Sequence, residues 1–396
     1  VNPVNESNKK PTFGLDSLPN NIFANPGDVV PNRVGFSKYA SFLNSSYEQE
    51  HGRPLVLAMS ADLAESTNLS GFAIEYGSNK NKGLYDKENN IKSPLFPQGI
   101  TEFTNAGMMA GAATVNFSEN AYDHFSGFFG ATSTYGSFSY LKYGPIRLFS
   151  QIAQDSNLKV GKLIWVVGHS GPETAEDSRT HFGIFAPGVT QLFPEGHIIN
   201  VHPWEHNEVA PSLSAALNTE VPIVAIHLTR PPIKIPDRKA LKMAHHFESS
   251  KGAYIIKDFD ENKKKEGIVI VRGTSSTNSI VQILPTLKKS GPNVKIVAAI
   301  SWELYKRQDK KYRELIIAPN QWNDTMVITN GALRLMNNWI SNPMVKKYSM
   351  SPDFDNRWRT GGSLDQIIEE SQLDTGSILS CIKKFAKERA WRLNNI

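Results

Sequence analysis

The chain has 396 residues, 40% of them hydrophobic and 20% charged, a balance that excludes a wholly disordered protein and predicts two or three domains. No apolar run approaches the ~20 residues of a membrane helix, and the 43 basic and 38 acidic residues are interspersed, so neither a membrane nor nucleic acid is an expected partner. The single cysteine, Cys381, excludes an internal disulfide and a cysteine-based zinc site, and it fits a reducing, cytoplasmic location.

Residues 1–32 are rich in Asn, Pro and Ser and show little hydrophobic periodicity, which predicts a linker or arm. From residue 33, short apolar runs alternate with helical patterns, as they do in βαβ units. The predicted strands here are 54–59, 162–167, 197–201 and 221–228, and the predicted helices are 106–113 and 209–217. Continuous apolar strands are typical of a buried parallel sheet, so residues 33–235 are expected to form one domain.

A charged, Pro-containing stretch over 231–252 predicts a connection to a second domain, and the interdomain linker is assigned to residues 236–255. The alternating pattern then restarts, so residues 256–396 are expected to form the second domain. Its predicted strands are 267–273, 294–300, 314–319 and 326–329, and an amphipathic helix with a solvated basic face is expected over 377–393. The predicted fold class is α/β, with two doubly wound, mostly parallel sheets.

Polar residues that can carry chemistry follow the predicted strands of the first domain. In an open parallel sheet, ligands bind beyond the carboxyl ends of the strands, which is where these residues are expected to lie. They are Asp62 and Ser66, Glu102 ahead of a helix of small residues, and the cluster His169, Glu176, Asp177 and His181. Each has an ordinary structural alternative, since Asp and Ser cap helices and a polar loop needs no function.

Five segments, taken in order, make the chain resemble the transketolase family, whose enzymes use thiamine diphosphate. The match covers roughly residues 30–370 and corresponds to the pyrimidine-binding and C-terminal domains, the C-terminal half of that family. The segments are SADLAEST (60–67), GITEF (99–103), GHSGPETAEDSRTH (168–181), VHPWEHNEVAPSLSAAL (201–217) and ISWELYKRQDKKYRELIIAP (300–319).

The resemblance implies a set of cofactor-binding residues. Glu102 matches the family glutamate that contacts N1′ of the aminopyrimidine ring, and Asp62 matches a further cofactor-binding position. Phe138 and Tyr135 match aromatic positions that stack on this ring, and the remaining family aromatic falls at Tyr140 or Leu141.

The same resemblance implies transfer of a two-carbon ketol unit from a phosphorylated ketose to an aldose. His169, Asp177 and His181 would bind sugar hydroxyls and the reacting oxygen, and His169 and His181 join Glu102 as expected catalytic residues. Arg33, Ser66 and Arg230 would bind the substrate phosphate, with His169 nearby, since the arginine fork donates paired hydrogen bonds to phosphate.

The family holds the diphosphate through a divalent cation, Mg²⁺ or Ca²⁺, bound by a G-D-G…N motif in its N-terminal half. The only Gly-Asp pair here is Gly27 and Asp28, which valines follow, so no metal ligand is assigned to this chain. The expectation is one half of a split or cleaved enzyme, active with a diphosphate-binding partner half and forming a dimer of such pairs.

Two departures from the family pattern leave alternatives open. Thr101 and Phe103 stand where the family has Arg and His beside the glutamate, and Ser178 and Arg179 replace a Gly-Pro pair. A thiamine-diphosphate component of a 2-oxo-acid dehydrogenase is therefore one alternative. A non-catalytic assembly or regulatory subunit is another.

Overall fold

The computed structural model describes residues 13–61, 63–77, 83–359 and 361–395. Its strands are β1 (Val29–Val30), β2 (Val56–Ser60), β3 (Leu95–Phe96), β4 (Phe129–Tyr135), β5 (Leu163–Gly168), β6 (Ile198–Val201), β7 (Ile223–His227), β8 (Ile233–Lys234), β9 (Ala253–Lys257), β10 (Ile268–Arg272), β11 (Lys295–Ala299) and β12 (Thr325–Thr329). Its helices are α1 (Asn32–His51), α2 (Glu102–Thr114), α3 (Tyr143–Asp155), α4 (Ala186–Val189), α5 (Val209–Leu217), α6 (Thr274–Ser290), α7 (Trp302–Lys306), α8 (Lys310–Ile316), α9 (Pro343–Tyr348), α10 (Leu364–Glu370), α11 (Thr375–Lys387) and α12 (Arg389–Asn394).

The first sheet contains six strands in the order β3-β2-β4-β5-β7-β6, and every neighbouring pair is parallel. Alternate side chains of β5 enter two different cores. Ile164 and Val166 pack on one face of the sheet, and Leu163, Trp165 and Val167 pack on the other. Both faces are therefore buried, which explains why these strands read as unbroken apolar runs.

The second sheet has the order β12-β10-β11-β9, in which β9 alone runs antiparallel to its neighbour. Here too β10 contributes to two cores, with Val269 and Val271 on one face and Ile268 and Ile270 on the other. The prediction of an α/β fold with two mostly parallel sheets is confirmed. The structure adds β3, β4 and β9 to these sheets and a separate pair, β1 and β8, for which no strands were predicted.

The predicted strand over 314–319 is wrong. Asp309 accepts a hydrogen bond from the backbone N–H of Tyr312 at 2.7 Å, and this cap starts helix α8. Helix α8 extends to Ile316, which is buried, whereas its neighbour Leu315 is 58% exposed. Only one side of this apolar run reaches the core, and the sequence pattern does not distinguish this from a buried strand.

The C-terminal segment, for which one amphipathic helix was predicted, forms two helices, α11 and α12, which are separated at Glu388. Lys383, Lys384 and Lys387 are exposed, as expected for a solvated basic face. Arg392 departs from that expectation, because it is fully buried and its guanidinium is bonded to Asp324.

The described part of the N-terminal segment lies against the first domain. Phe13, Leu18 and Ile22 enter its core, and β1 pairs with β8 in a small antiparallel sheet. The backbone N–H of Phe13 donates to Asn218 Oδ1 at 2.8 Å. No helix within the described ranges is both long enough and apolar enough to cross a bilayer.

The second domain contacts the loop that follows β5. Glu173 in this loop is fully buried, and its Oε1 accepts hydrogen bonds from Ser275 N–H and Asn330 Nδ2, each at 3.3 Å. The N–H of Gly361 donates to the carbonyl of Ala175 at 3.0 Å. These contacts fix the start of a loop that carries several of the candidate site residues.

Candidate functional site

The carboxyl ends of four adjacent strands carry candidate residues. Ser66 follows β2, Tyr135 ends β4, His169 follows β5, and Arg230 follows β7. Because β2, β4, β5 and β7 are consecutive in the parallel sheet, these side chains meet along one edge. The structure therefore brings together residues that lie up to 164 positions apart, between Ser66 and Arg230.

Glu102 is the first residue of α2 and lies at the same edge. Its side chain is only 7% exposed, and its Oε1 accepts a hydrogen bond from Thr134 Oγ1 at 3.0 Å. Thr134 is the residue before Tyr135 on β4. The carboxylate is therefore held at the carboxyl end of β4 and is largely shielded from water.

Two aromatic side chains form a wall beside two histidines. The ring of Tyr135 lies 4.0 Å from the ring of His169 and 5.0 Å from that of His181, centroid to centroid. Phe138 meets His181 edge-on at 5.9 Å. Tyr135 and Phe138 are half-buried, and flat aromatic side chains of this kind can stack on a planar ligand.

Arg33 connects α1 to this wall. Its Nη1 donates to the carbonyl of Ser66 at 2.6 Å and lies 3.2 Å from His169 Nε2. Since a guanidinium can only donate, His169 Nε2 must accept, and the ring proton then resides on Nδ1. His169 Nδ1 is buried and has no hydrogen-bond partner, so the site contains an unused donor.

The environment of His169 keeps its ring neutral at physiological pH. Burial, together with the positive charges of Arg33 and Arg230 and the neighbouring His181, lowers the pKa of His169 to about 3. His169 also has a left-handed backbone (φ 56°), a conformation that costs free energy for a residue other than glycine and that clusters at functional sites.

Two arginines lie close enough to repel each other. Burial and the charge of Arg230 both lower the pKa of Arg33. Arg230 Nη1 is bonded to Asp177 and lies 4.0 Å from Glu176, while His181 Nδ1 lies 3.7 Å from the Asp177 carboxylate. An anionic ligand between the arginines would relieve their repulsion, which makes this end of the site suitable for a phosphate.

A cavity of about 520 Å³ opens beside Ser66 and Tyr135. Ser60, Leu63, Ser66, Phe96, Gln98 and Tyr135 are among those that line it. Asp62, the remaining predicted cofactor residue, lies outside the described residues. Tyr140 and Leu141, the two candidates for the third aromatic position, are both exposed, at 61% and 42%.

The site contains a buried lysine that the sequence did not reveal. Lys142 is fully buried and donates to Asn105 Oδ1 and to Thr132 Oγ1, the latter at 2.6 Å. Burial is the dominant cause that lowers the pKa of Lys142 to about 7, and the charge of Glu102 opposes the shift. A lysine in a helical, aromatic-rich stretch is ordinarily solvent-exposed, so no sequence signal identified it.

Family models match most of the chain. The model of the transketolase pyrimidine-binding domain matches residues 46–234, and that of the transketolase-like C-terminal domain matches residues 252–350. The chloroplastic transketolase of Zea mays is 26% identical over 313 residues, which are 78% of this chain and 39% of that protein.

Solved transketolases share the fold. The enzyme from Campylobacter jejuni has a TM-score of 0.66 at 17% identity and aligns with 91% of this chain and 48% of its own. The Pichia stipitis enzyme in complex with sedoheptulose 7-phosphate has a TM-score of 0.65 at 18% identity, covering 92% of this chain and 47% of that one. The chain thus spans less than half the length of these proteins.

Proposed function

Since this chain belongs to the transketolase family and matches its C-terminal half, we propose that it supplies the pyrimidine-binding side of a thiamine-diphosphate-dependent transketolase. In this role it transfers a two-carbon ketol unit from a phosphorylated ketose to an aldose. The observation that carries the proposal is the buried Glu102 carboxylate, which Thr134 holds at the sheet edge where Tyr135 ends β4 and the half-buried Phe138 follows.

The residues present fit the aminopyrimidine ring of thiamine diphosphate. Tyr135 and Phe138 offer half-buried faces for stacking, and Glu102 offers a carboxylate that shares a proton with a ring nitrogen. When bound, the cofactor supplies the nucleophilic carbon of its thiazolium ring. Thr134 keeps Glu102 oriented, and the low exposure of Glu102 excludes water that would compete for this proton.

The sugar lies toward the second group of residues. Arg33 and Arg230 bind the phosphate of the ketose together with Ser66, which lies next to them. His169 donates its unused Nδ1–H to a sugar oxygen and stays neutral while doing so, because its pKa is about 3. His181, whose Nδ1 lies 3.7 Å from the Asp177 carboxylate, binds the reacting oxygen and stabilises negative charge there.

The diphosphate and its divalent cation are held by a partner half. The chain contains no G-D-G segment, and it spans less than half of the relatives that carry out the reaction. Two large apolar side chains next to Glu102 in the chain are exposed, Ile100 at 78% and Phe103 at 63%. A patch of this kind is typical of a protein interface, so the cofactor is expected to lie between the two halves.

Replacing Glu102 tests the proposal. In the complex with a diphosphate-binding half, Glu102→Gln is expected to lower kcat at least about 100-fold, because the amide cannot exchange the proton. The matched control is Glu88→Gln, since Glu88 is an exposed glutamate outside the site. Equal activity of the two variants would favour a non-catalytic subunit and contradict the proposal.

The choice of substrate distinguishes a transketolase from the thiamine-diphosphate component of a 2-oxo-acid dehydrogenase. With xylulose 5-phosphate and an aldose as substrates, the complex is expected to form a new ketose, whereas pyruvate should not be decarboxylated. Asp177, His181 and Arg230 favour the sugar, because a 2-oxo acid has no hydroxyl chain or phosphate for them to bind. Turnover of pyruvate alone would instead identify a 2-oxo-acid dehydrogenase component.

A further inference from the structure

His169 is an extra residue in the pairing of β5 with β7. The N–H of Leu228 donates to the carbonyl of Val167 at 3.0 Å, and the carbonyl of Leu228 accepts from the N–H of Ser170 at 2.8 Å. Since His227 pairs with Val167, a regular parallel ladder would take this second hydrogen bond from residue 169. His169 therefore lies in a β-bulge, a feature that redirects a side chain and often occurs next to an active site.

The bulge holds His169 in a backbone conformation that few residues other than glycine adopt. Its φ is 56°, and such a left-handed conformation persists only where the surrounding structure fixes it. The carbonyl of His169 accepts a hydrogen bond from Thr174 Oγ1 at 2.9 Å, and Thr174 is fully buried. Among the described residues, no other group donates to this carbonyl, so the Thr174 hydroxyl alone satisfies it.

Thr174 is itself held from two directions. It belongs to the 3-10 turn Glu173–Glu176, and its carbonyl accepts from the N–H of Asp177 at 3.2 Å. The preceding residue, Glu173, accepts hydrogen bonds from Ser275 and Asn330 of the second domain, each at 3.3 Å. Thr174 therefore joins the backbone of His169 to a segment that the second domain fixes in place.

The direction of the His169 ring depends on this backbone. The ring lies 4.0 Å from that of Tyr135, and its Nε2 lies 3.2 Å from Arg33 Nη1, which leaves the proton on Nδ1. A change of φ at His169 would rotate its Cα–Cβ bond and move the ring away from both contacts. The free Nδ1–H of His169 is thus a consequence of the left-handed backbone.

We propose that Thr174 is a positioning residue whose hydroxyl holds the carbonyl of His169, and so keeps the His169 ring against Arg33 with its Nδ1–H free for the sugar. The inference rests on the proposed function for the role of His169. It adds a residue that touches neither the substrate nor the cofactor and that acts only through His169.

The ring tautomer of His169, measured in the full chain without cofactor or substrate, tests this positioning. In protein labelled with ¹⁵N-histidine, the ring signals of His169 are identified by their loss in His169→Asn, since asparagine tolerates a left-handed backbone. The wild type is expected to show a protonated Nδ1 and an unprotonated Nε2. In Thr174→Val the two ¹⁵N shifts should move toward each other, because the ring leaves Arg33 and its proton exchanges between the two nitrogens. Thr174→Ser keeps the hydroxyl and should restore the wild-type shifts.

The matched control is Thr325→Val. Thr325 is also fully buried, and its hydroxyl donates to the carbonyl of Trp322 at 2.9 Å, in the second domain. This variant loses a comparable hydrogen bond and should leave the shifts of His169 unchanged. Thr174→Ala, with a smaller side chain, provides the same test if the valine variant does not fold. Wild-type His169 shifts in a Thr174 variant without the hydroxyl would overturn the inference.

Kinetics separates this inference from the proposed function. In the active complex, Thr174→Val is expected to lower kcat/KM for the ketose about 3- to 10-fold, since a hydrogen bond from a neutral donor is lost, and Thr174→Ser should restore most of it. Shifts that move in Thr174→Val without any loss of kcat/KM would keep the positioning of His169 and refute its role in sugar binding. The two failures are therefore distinguishable.

Discussion

At the scale of single residues, the site divides into a neutral group and a cationic group. His169 is uncharged because burial and two nearby arginines disfavour a further positive charge. Arg33 and Arg230 provide the fixed cations, and Asp177 partly compensates Arg230. In the proposed function, the arginines recognise the sugar phosphate, and His169 acts as an uncharged hydrogen-bond donor.

Arg33→Met is expected to raise KM for a phosphorylated ketose about 10- to 100-fold, since a charge-assisted hydrogen bond contributes about 1.5–3 kcal/mol. KM for an unphosphorylated ketose should change much less, because that substrate lacks the group that Arg33 binds. Lys38→Met on the same helix is the matched control, as the Lys38 ammonium donates to the carbonyl of Asn21 at 3.4 Å, outside the site. Steady-state kinetics on both substrates checks the prediction. An equal loss for both ketoses would contradict phosphate binding by Arg33.

At the scale of elements, the site is assembled by the register of the parallel sheet. Four consecutive strands end at the same level and present one polar residue each, while α2 begins at that edge with Glu102. The ends of β2, β5 and β7 were predictable from sequence, because an apolar run followed by a polar segment indicates the carboxyl end of a buried strand. No strand was predicted over β4, so Tyr135, like the role of Arg230, followed from the family resemblance alone. The residues Ser66, Tyr135, His169 and Arg230 do meet there.

The secondary structure of segments that bury only one side was harder to predict from sequence. The run over 314–319 has the composition of a strand, yet the Asp309 cap and the exposure of Leu315 belong to helix α8. Lys142 was missed for a related reason. Its burial depends on the packing of α2 against β4, which brings Asn105 and Thr132 within reach, and no local pattern encodes that contact.

At the scale of the whole molecule, buried neutral histidines make the free energy of unfolding depend on pH. Burial is the leading cause that lowers the pKa of His227 and of His246 to about 3, and it lowers that of His202 well below the ordinary value. The unfolded chain binds protons on these rings below pH ~6.5, whereas the folded chain does not. Stability is therefore highest above pH ~6.5 and is lost progressively as pH falls toward 3.

His246→Phe isolates one of these contributions. The His246 ring lies 4.8 Å from Phe23, and its Nε2 has no hydrogen-bond partner, so phenylalanine preserves the packing without leaving a partner unsatisfied. Between pH 7 and pH 5, the variant should lose about 2 kcal/mol less unfolding free energy than the wild type. Urea unfolding at the two pH values measures this difference. If the wild type and the variant lost the same amount of unfolding free energy, His246 would not take up a proton on unfolding between pH 7 and pH 5.

Two features indicate that a second polypeptide completes the cofactor site: the chain matches only half of the family's length, and apolar side chains next to Glu102 are exposed. The pyrimidine-binding side contains a carboxylate and aromatic faces, but the described residues contain no cluster of three or more His, Cys, Asp or Glu that could hold a metal ion. Ile100 and Phe103 border the carboxylate and are available to a second polypeptide. Cofactor binding is thus expected to require two surfaces that meet over Glu102.

Calorimetric titration of thiamine diphosphate with Mg²⁺ tests this claim most directly. The predicted result is that the chain alone gives no measurable binding, that adding a polypeptide with the G-D-G…N motif produces tight binding, and that Glu102→Gln weakens it. Tight binding and ketol transfer by the purified chain alone would contradict a site shared between two halves.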